Sequence, residues 1–207
     1  MFSFTNKLYA ITDVEISGLS HRSQIERLVA GGARLIQLRE KDMAPRRFYA
    51  EAETALDFAR SHGVQIIIND RVDIALALEA DGVHLGQEDL PPHSARKLLG
   101  NDAVIGLSTH SLDQVRAASR LPVSYLGIGP IFPTSTKKNP QPLVGLDGLR
   151  RIREVARELP LVAIGGITLA NAAAVLSAGA DAVAIISALL DDPSQITTRA
   201  AEFLHAR

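Results

Sequence analysis

Apolar residues recur along this chain in two alternating rhythms. Short runs nearly continuous in Ile, Leu and Val appear at "LYAIT" (8–12), "LIQLR" (35–39), "QIIIN" (65–69) and "GVHLG" (82–86). Four more follow at "VIGLS" (104–108), "YLGIG" (125–129), "LVAIG" (161–165) and "AVAIIS" (182–187). A strand with one wet face alternates apolar and polar residues, so unbroken runs predict strands covered on both faces, as in a parallel sheet. Between the runs the period lengthens to that of a helix. Phe48, Ala52, Ala55, Leu56 and Ala59 share one face; Leu149, Ile152, Val155 and Ala156 share another; Ile196, Ala200, Phe203 and Leu204 make a third. Ser111 and Thr168 are placed as helix N-caps. Gly31-Gly32, Gly63, Gly100 and Gly179 are placed as left-handed helix ends.

Strand-helix alternation, eight times over, requires crossover connections and hence a parallel sheet. Closed on itself, that sheet is a compact (β/α)8 TIM barrel, expected here as a single domain over residues 1–207. It would be a small barrel, since about 250 residues is typical. The rival, an open doubly wound sheet, is missing its G-x-G-x-x-G fingerprint after the first strand.

Composition narrows the partners. A net charge of -1 gives no general attraction to nucleic acid or to an anionic membrane. Cysteine is absent, which excludes disulfides, thiolate zinc sites and cysteine nucleophiles. No run approaches the roughly 18 apolar residues of a membrane span, and the opening "MFSFTNKLYAITD" does not read as a signal peptide. A cytoplasmic enzyme acting on small molecules is the expectation, with homo-oligomerisation left open.

Barrels place their chemistry at the carboxyl ends of the strands, so those ends can be read in order. The second strand closes on "QLREK", with Gln37, Arg39 and Lys41 at alternating positions. The third closes on Asn69 and Asp70, the fourth runs on to Asp89, and the fifth ends at Ser108. The sixth opens into Thr134, Ser135, Thr136 and Lys137, followed by a second lysine at 138. Taken singly, each has a plainer reading. Arg39 and Lys41 could pair with Glu40 and Asp42; "ND", "QED" and "STH" could be turns or caps. The barrel brings them all to one opening, and that convergence favours a site.

"IGGI" after the seventh strand and "IIS" closing the eighth match the phosphate site common to barrels, where glycine lets backbone N–H groups approach an anion. Asp70 and Asp89, beside Arg39, Lys41 and Lys137, suggest a hard dication such as Mg2+ bridging protein and polyphosphate. The rim therefore predicts two anions: a monophosphate near strands seven and eight, and a metal-bound diphosphate near strands two to five. His84 lies inside a strand and reads as a satisfied core residue, His110 is unassigned, and no Ser-His-Asp arrangement emerges.

These segments together resemble the thiamine-phosphate synthase family. The likeness is carried by "LYAITD", "QLREK", "IIINDRVDIALALEADGVHLGQEDLP", "IGLSTHS", "YLGIGPIFPTSTK", "AIGGI" and "GADAVAIIS", in order along nearly the whole chain. The resemblance implies a barrel that joins hydroxymethylpyrimidine diphosphate to a thiazole phosphate with magnesium, releasing pyrophosphate. It assigns Gln37, Arg39, Lys41 and Asn69 to the pyrimidine diphosphate, and Ser108 and Lys137 to the diphosphate. Asp70 and Asp89 would take the metal. Thr134 and Thr136, with Gly166, Ile186 and Ser187, would take the thiazole phosphate. The strand-six loop would close over the site, its freedom limited by Pro133, Pro140 and Pro142.

The sister branch, the thiazole tautomerases, generally carries a histidine after the strand-six glycine, where this chain has Pro130. Two other classes remain at this stage: a sugar-phosphate isomerase, which leaves Asp70 and Asp89 without a purpose, and a non-catalytic thiazole-phosphate-binding regulator.

Overall fold

The computed structural model describes residues 2–4, 6–134 and 141–205. Eight parallel strands close into a barrel in chain order: β1 (Leu8–Thr12), β2 (Leu35–Leu38), β3 (Gln65–Asn69), β4 (Gly82–Leu85), β5 (Val104–Thr109), β6 (Tyr125–Ile128), β7 (Leu161–Ile164) and β8 (Ala182–Ile185). β1 pairs with β8 to complete the ring, Tyr9 standing opposite Ala184. Around it lie α1 (Val14–Ser17), α2 (His21–Ala30), α3 (Pro45–Ser61), α4 (Val72–Ala77), α5 (Pro92–Leu99) and α6 (Leu112–Ala118). The circuit continues with α7 (Gly145–Ala156), α8 (Leu169–Ser177), α9 (Ser187–Leu190) and α10 (Ile196–His205). Each expected strand is present, shifted at its end by two residues at most.

The strands read as unbroken apolar runs because alternate residues enter two different cores. Leu8 and Ala10, Ile36 and Leu38, Ile66 and Ile68, and Leu126 and Ile128 face outward and pack against the helices. Tyr9, Ile11, Leu35, Ile67, Val104, Tyr125, Val162, Ala182 and Ala184 fill the barrel itself. The outer core receives the apolar helix faces expected from periodicity. Phe48, Ala52, Ala55, Leu56 and Ala59 are all buried on α3, as are Ile196, Ala200 and Phe203 on α10.

Local signals behave as their chemistry requires. The Ser111 hydroxyl accepts from the Gln114 amide, and Thr168 with Asn171 forms a reciprocal capping box. Gly32, Gly63, Gly100 and Gly179 adopt positive φ, but Gly31 does not: at φ -80° it continues the right-handed turn, and its place is dictated by the closeness of α10. A Cβ there would sit 2.5 Å from the Thr197 carbonyl oxygen. Among the described residues no helix is long and apolar enough to cross a membrane.

Candidate active site at the carboxyl rim

Strand parity decides which polar residues reach the barrel axis. Gln37, Asn69, His84 and Ser108 alternate with the outward-facing Ile36, Ile68, Val83 and Leu107, so each turns into the barrel. Gln37 and Asn69 are buried. Among the described residues Asn69 Nδ2 has no hydrogen-bond partner, an uncommon cost for a buried amide and one a ligand's acceptor would relieve. Gln37 Nε2 donates to the Tyr9 hydroxyl at 3.0 Å. Ser108 Oγ meets His84 Nε2 at 2.9 Å, and His84 Nδ1 meets the Tyr125 hydroxyl at 2.9 Å.

His84 is thus satisfied at both ring nitrogens, as a core residue should be. Yet it pairs with Ser108, a serine–histidine contact that the sequence spacing did not reveal. No carboxylate orients the ring: Tyr125 occupies that place, so the pair is not a nucleophile-base-acid triad. Burial lowers the His84 pKa to about 4 against an upward pull from Asp89, leaving a neutral imidazole at pH 7. Room for the two rings comes from Gly106, where a Cβ would lie 2.2 Å from the Tyr125 ring and 2.5 Å from His84 Nδ1.

Charge gathers just beyond the ends of β2, β3 and β4. Arg39 pairs with Asp13 and Lys41 with Asp70, rather than with the sequence neighbours Glu40 and Asp42. Glu40 instead accepts the amides of Lys41, Asp42 and Met43 through Oε1, folding the loop that carries Lys41. Asp70 stands at φ 60°, a left-handed conformation that aspartate tolerates better than most residues, with its amide donating to the His84 carbonyl at 2.8 Å.

Asp89 Oδ2 accepts from the Gly86 amide at 2.6 Å. Its carboxyl pKa is raised, first by burial and also by the neighbouring carboxyl of Asp70; the Gly86 amide and Lys41 pull the other way. Two carboxylates that close repel unless a cation sits with them, and Lys41 supplies part of that charge. A hard dication fits the same donor set. Among the described residues no group of three or more His, Asp or Glu could enclose a metal.

The opposite side of the mouth is built from backbone. Gly165 and Gly166 have φ 101° and 62°, and the strand-six loop is stitched to them by Ile131 N to Ile164 O at 2.9 Å and Phe132 N to Gly165 O at 3.0 Å. A Cβ on Gly166 would lie 2.4 Å from the Pro133 carbonyl oxygen, so Thr134 follows immediately on the contact. The register pairs Ile164 with Ala184, which brings Gly166 and Ile186 out at the same level, with Ser187 next to Ile186 at the start of α9. Thr136 and Lys137 lie outside the described residues, as do Ser135, Lys138 and Pro140.

Reading the sequence passed over Asp13, Tyr9 and Tyr125. A signal existed for the tyrosines, since a phenol inside a strand otherwise aliphatic must find a polar partner once buried. Asp13 carried none beyond its place after β1.

The arrangement is one of paired charges facing a glycine-lined backbone cradle across a polar floor, suited to binding two anions side by side. Residues 8–189 match the family described as thiamine monophosphate synthase. The chain is 49% identical over 185 residues to the thiamine-phosphate synthase of Chloroflexus aurantiacus, covering 89% of this chain and 85% of that one. To the thiamine-phosphate synthase of Albidiferax ferrireducens it is 44% identical over 203 residues, covering 97% and 92%. Among solved structures it is similar to a thiamine phosphate pyrophosphorylase from Pyrococcus furiosus, with a TM-score of 0.84, 38% identity and coverage of 95% and 93%. With both the motifs and the closed eight-stranded barrel in place, the chain belongs to the thiamine monophosphate synthase family.

Proposed function

We propose that this protein condenses hydroxymethylpyrimidine diphosphate with hydroxyethylthiazole phosphate, giving thiamine phosphate and pyrophosphate. The observation that carries the reading is the convergence, at one mouth, of the orphaned Asn69 amide and the Gln37 and Ser108 side chains with the charges of Arg39, Lys41, Asp70 and Asp89. The chain acts as one barrel, in the cytosol, on small charged substrates.

In this reading Gln37 and Asn69 hold the pyrimidine, and Ser108 donates to the diphosphate. Arg39 and Lys41 exchange their carboxylate partners for the diphosphate and offset the charge that builds on it as it departs. Lys137 adds a third cation from the strand-six loop. Asp70 and Asp89 would hold magnesium, which when bound would offset the diphosphate charge and make pyrophosphate a better leaving group.

The carbon–oxygen bond to the diphosphate breaks with its electron pair leaving on oxygen. The benzylic-type cation left behind is delocalised by the aminopyrimidine, and the thiazole nitrogen lone pair forms the new carbon–nitrogen bond. That nitrogen carries no proton, so no general base is required, and a His84 kept neutral by burial is consistent with a site that needs none. Thr134, Thr136, Gly166, Ile186 and Ser187 fix the thiazole phosphate, and orientation of the two substrates supplies much of the rate. The strand-six loop shields the cation from water.

The test is direct. Purified protein is incubated with both substrates, with magnesium or with a chelator, and thiamine phosphate is quantified. Product should form only with magnesium, and Asp70→Asn or Asp89→Asn should lower kcat/KM by about 10²–10³-fold, the scale of losing one group that stabilises developing charge. Absence of product under every condition would end the reading. Unchanged activity in both variants would leave the function standing and remove the metal assignment.

A further inference from the structure

Five polar side chains form an unbroken row across the barrel: Gln37, Tyr9, Tyr125, His84 and Ser108, separated by 3.0, 2.8, 2.9 and 2.9 Å. Tyr9 and Tyr125 are fully buried, and among the described residues their hydroxyls have no side-chain partners outside the row. Each phenol and each hydroxyl has one proton to give, and a neutral imidazole has one. The row therefore has a direction. Gln37 Nε2 donates to Tyr9, whose proton goes to Tyr125, whose proton goes to His84 Nδ1; His84 Nε2–H then donates to Ser108 Oγ. Two groups are left over, one at each end. Ser108 keeps a proton to donate outward, and Gln37 keeps Oε1 to accept, which no donor among the described residues reaches.

Only one other arrangement satisfies every link and also leaves no buried phenol proton without an acceptor. In it the Gln37 amide turns over, every proton points the opposite way, and Ser108 donates to His84. The ligand then meets a donor at Gln37 and a mere acceptor at Ser108, which suits no diphosphate. Because buried unpaired hydroxyls are costly, the two ends switch together or not at all.

We propose that Tyr9 is a positioning residue which couples the Gln37 amide to the Ser108 hydroxyl, so that the barrel accepts a 4-aminopyrimidine diphosphate and rejects its 4-oxo counterpart. This rests on the functional reading above. An exocyclic amine donates to Gln37 Oε1 while the diphosphate accepts from Ser108. A 4-oxo ring presents an acceptor where the amine stood; turning Gln37 over to meet it reverses the row and withdraws the Ser108 proton from the diphosphate. Phenylalanine at position 9 removes the coupling, because Gln37 can then turn without disturbing Tyr125.

The experiment measures kcat/KM of full-length wild type and Tyr9→Phe with the 4-amino and the 4-oxo pyrimidine diphosphates at saturating thiazole phosphate. The preference for the amine should fall by about tenfold or more in the variant, with KM for thiazole phosphate unchanged. An unaltered preference would overturn the proposal. A second measurement needs no turnover: ring 15N NMR of the unliganded wild type, with His84 assigned by the signal lost in His84→Asn. The Nε2–H tautomer is expected, and the Nδ1–H tautomer would overturn the stated direction. Failure of the wild type to make thiamine phosphate defeats the functional reading instead, and the tautomer identifies that case separately.

Discussion

The two sides of the barrel mouth are built by different means. On the β2–β4 side the groups are charged side chains, and they are already engaged: Arg39 with Asp13, Lys41 with Asp70, Asp89 with the Gly86 amide. On the β7–β8 side the groups are glycines and backbone, shaped by positive φ at Gly165 and Gly166 and by the loop stitched onto them. The cations of the first side stay paired until a ligand exchanges the pairs, so its response is electrostatic. The second side is a fixed shape, so its response to change is steric. A diphosphate that must leave suits adjustable charge, and a phosphate that only anchors suits a rigid cradle.

Substitutions can break that contrast, and beyond the loss of activity expected of the Asp70 and Asp89 variants the largest effect on substrate affinity is expected on the rigid side. Gly166→Ala forces a Cβ against the Pro133 carbonyl at φ 62°, a conformation alanine disfavours by roughly 1–2 kcal/mol before the clash is counted. KM for the thiazole phosphate should rise by about tenfold to a hundredfold and stay high whatever the magnesium concentration, as steady-state kinetics would reveal. A KM rescued by magnesium would mean that the two sides are not separate devices.

A smaller effect is expected at Arg39. Arg39→Ala leaves the buried Asp13 carboxylate without its partner, and should raise KM for the pyrimidine diphosphate while lowering Tm by about 3 °C. Adding Asp13→Asn should recover the Tm, measured by calorimetry, but not the KM. Recovery of both would show that the pair serves only the fold.

The smallest effect is one of stability and concerns Asp89, and its sign follows from its raised pKa. A carboxyl that holds its proton more tightly folded than unfolded stabilises the protein below the ordinary carboxylate pKa, and that contribution is lost as pH rises through the folded value. In chelator at neutral pH, Asp89→Asn should therefore raise Tm by about 1–3 °C even though it lowers activity. A lowered Tm would mean that Asp89 is held for structure rather than for a bound cation.

Much of the site was legible because barrel strands deliver alternate residues to the axis. Gln37, Asn69 and Ser108 could be placed from strand ends alone, and the acids and cations beyond them followed. Partners were harder to read. Arg39 stands between Leu38 and Glu40 in sequence, yet its carboxylate comes from the end of β1, and His84 looked inert until the structure set it between Tyr125 and Ser108.

By itself the sequence determined the eight strands, the two-core parity that hides them on both faces, the helix caps and the family. All of these are short-range properties, written in periods of two and 3.6 residues and in contiguous motifs. Ring closure decided the rest. Only when β1 meets β8 does Tyr9 come to face Tyr125, 116 residues away, and only then do Gln37 and Ser108 share one row of protons. Burial makes each polar group need a partner, and which partner it finds depends on the whole barrel, not on its neighbours in the chain.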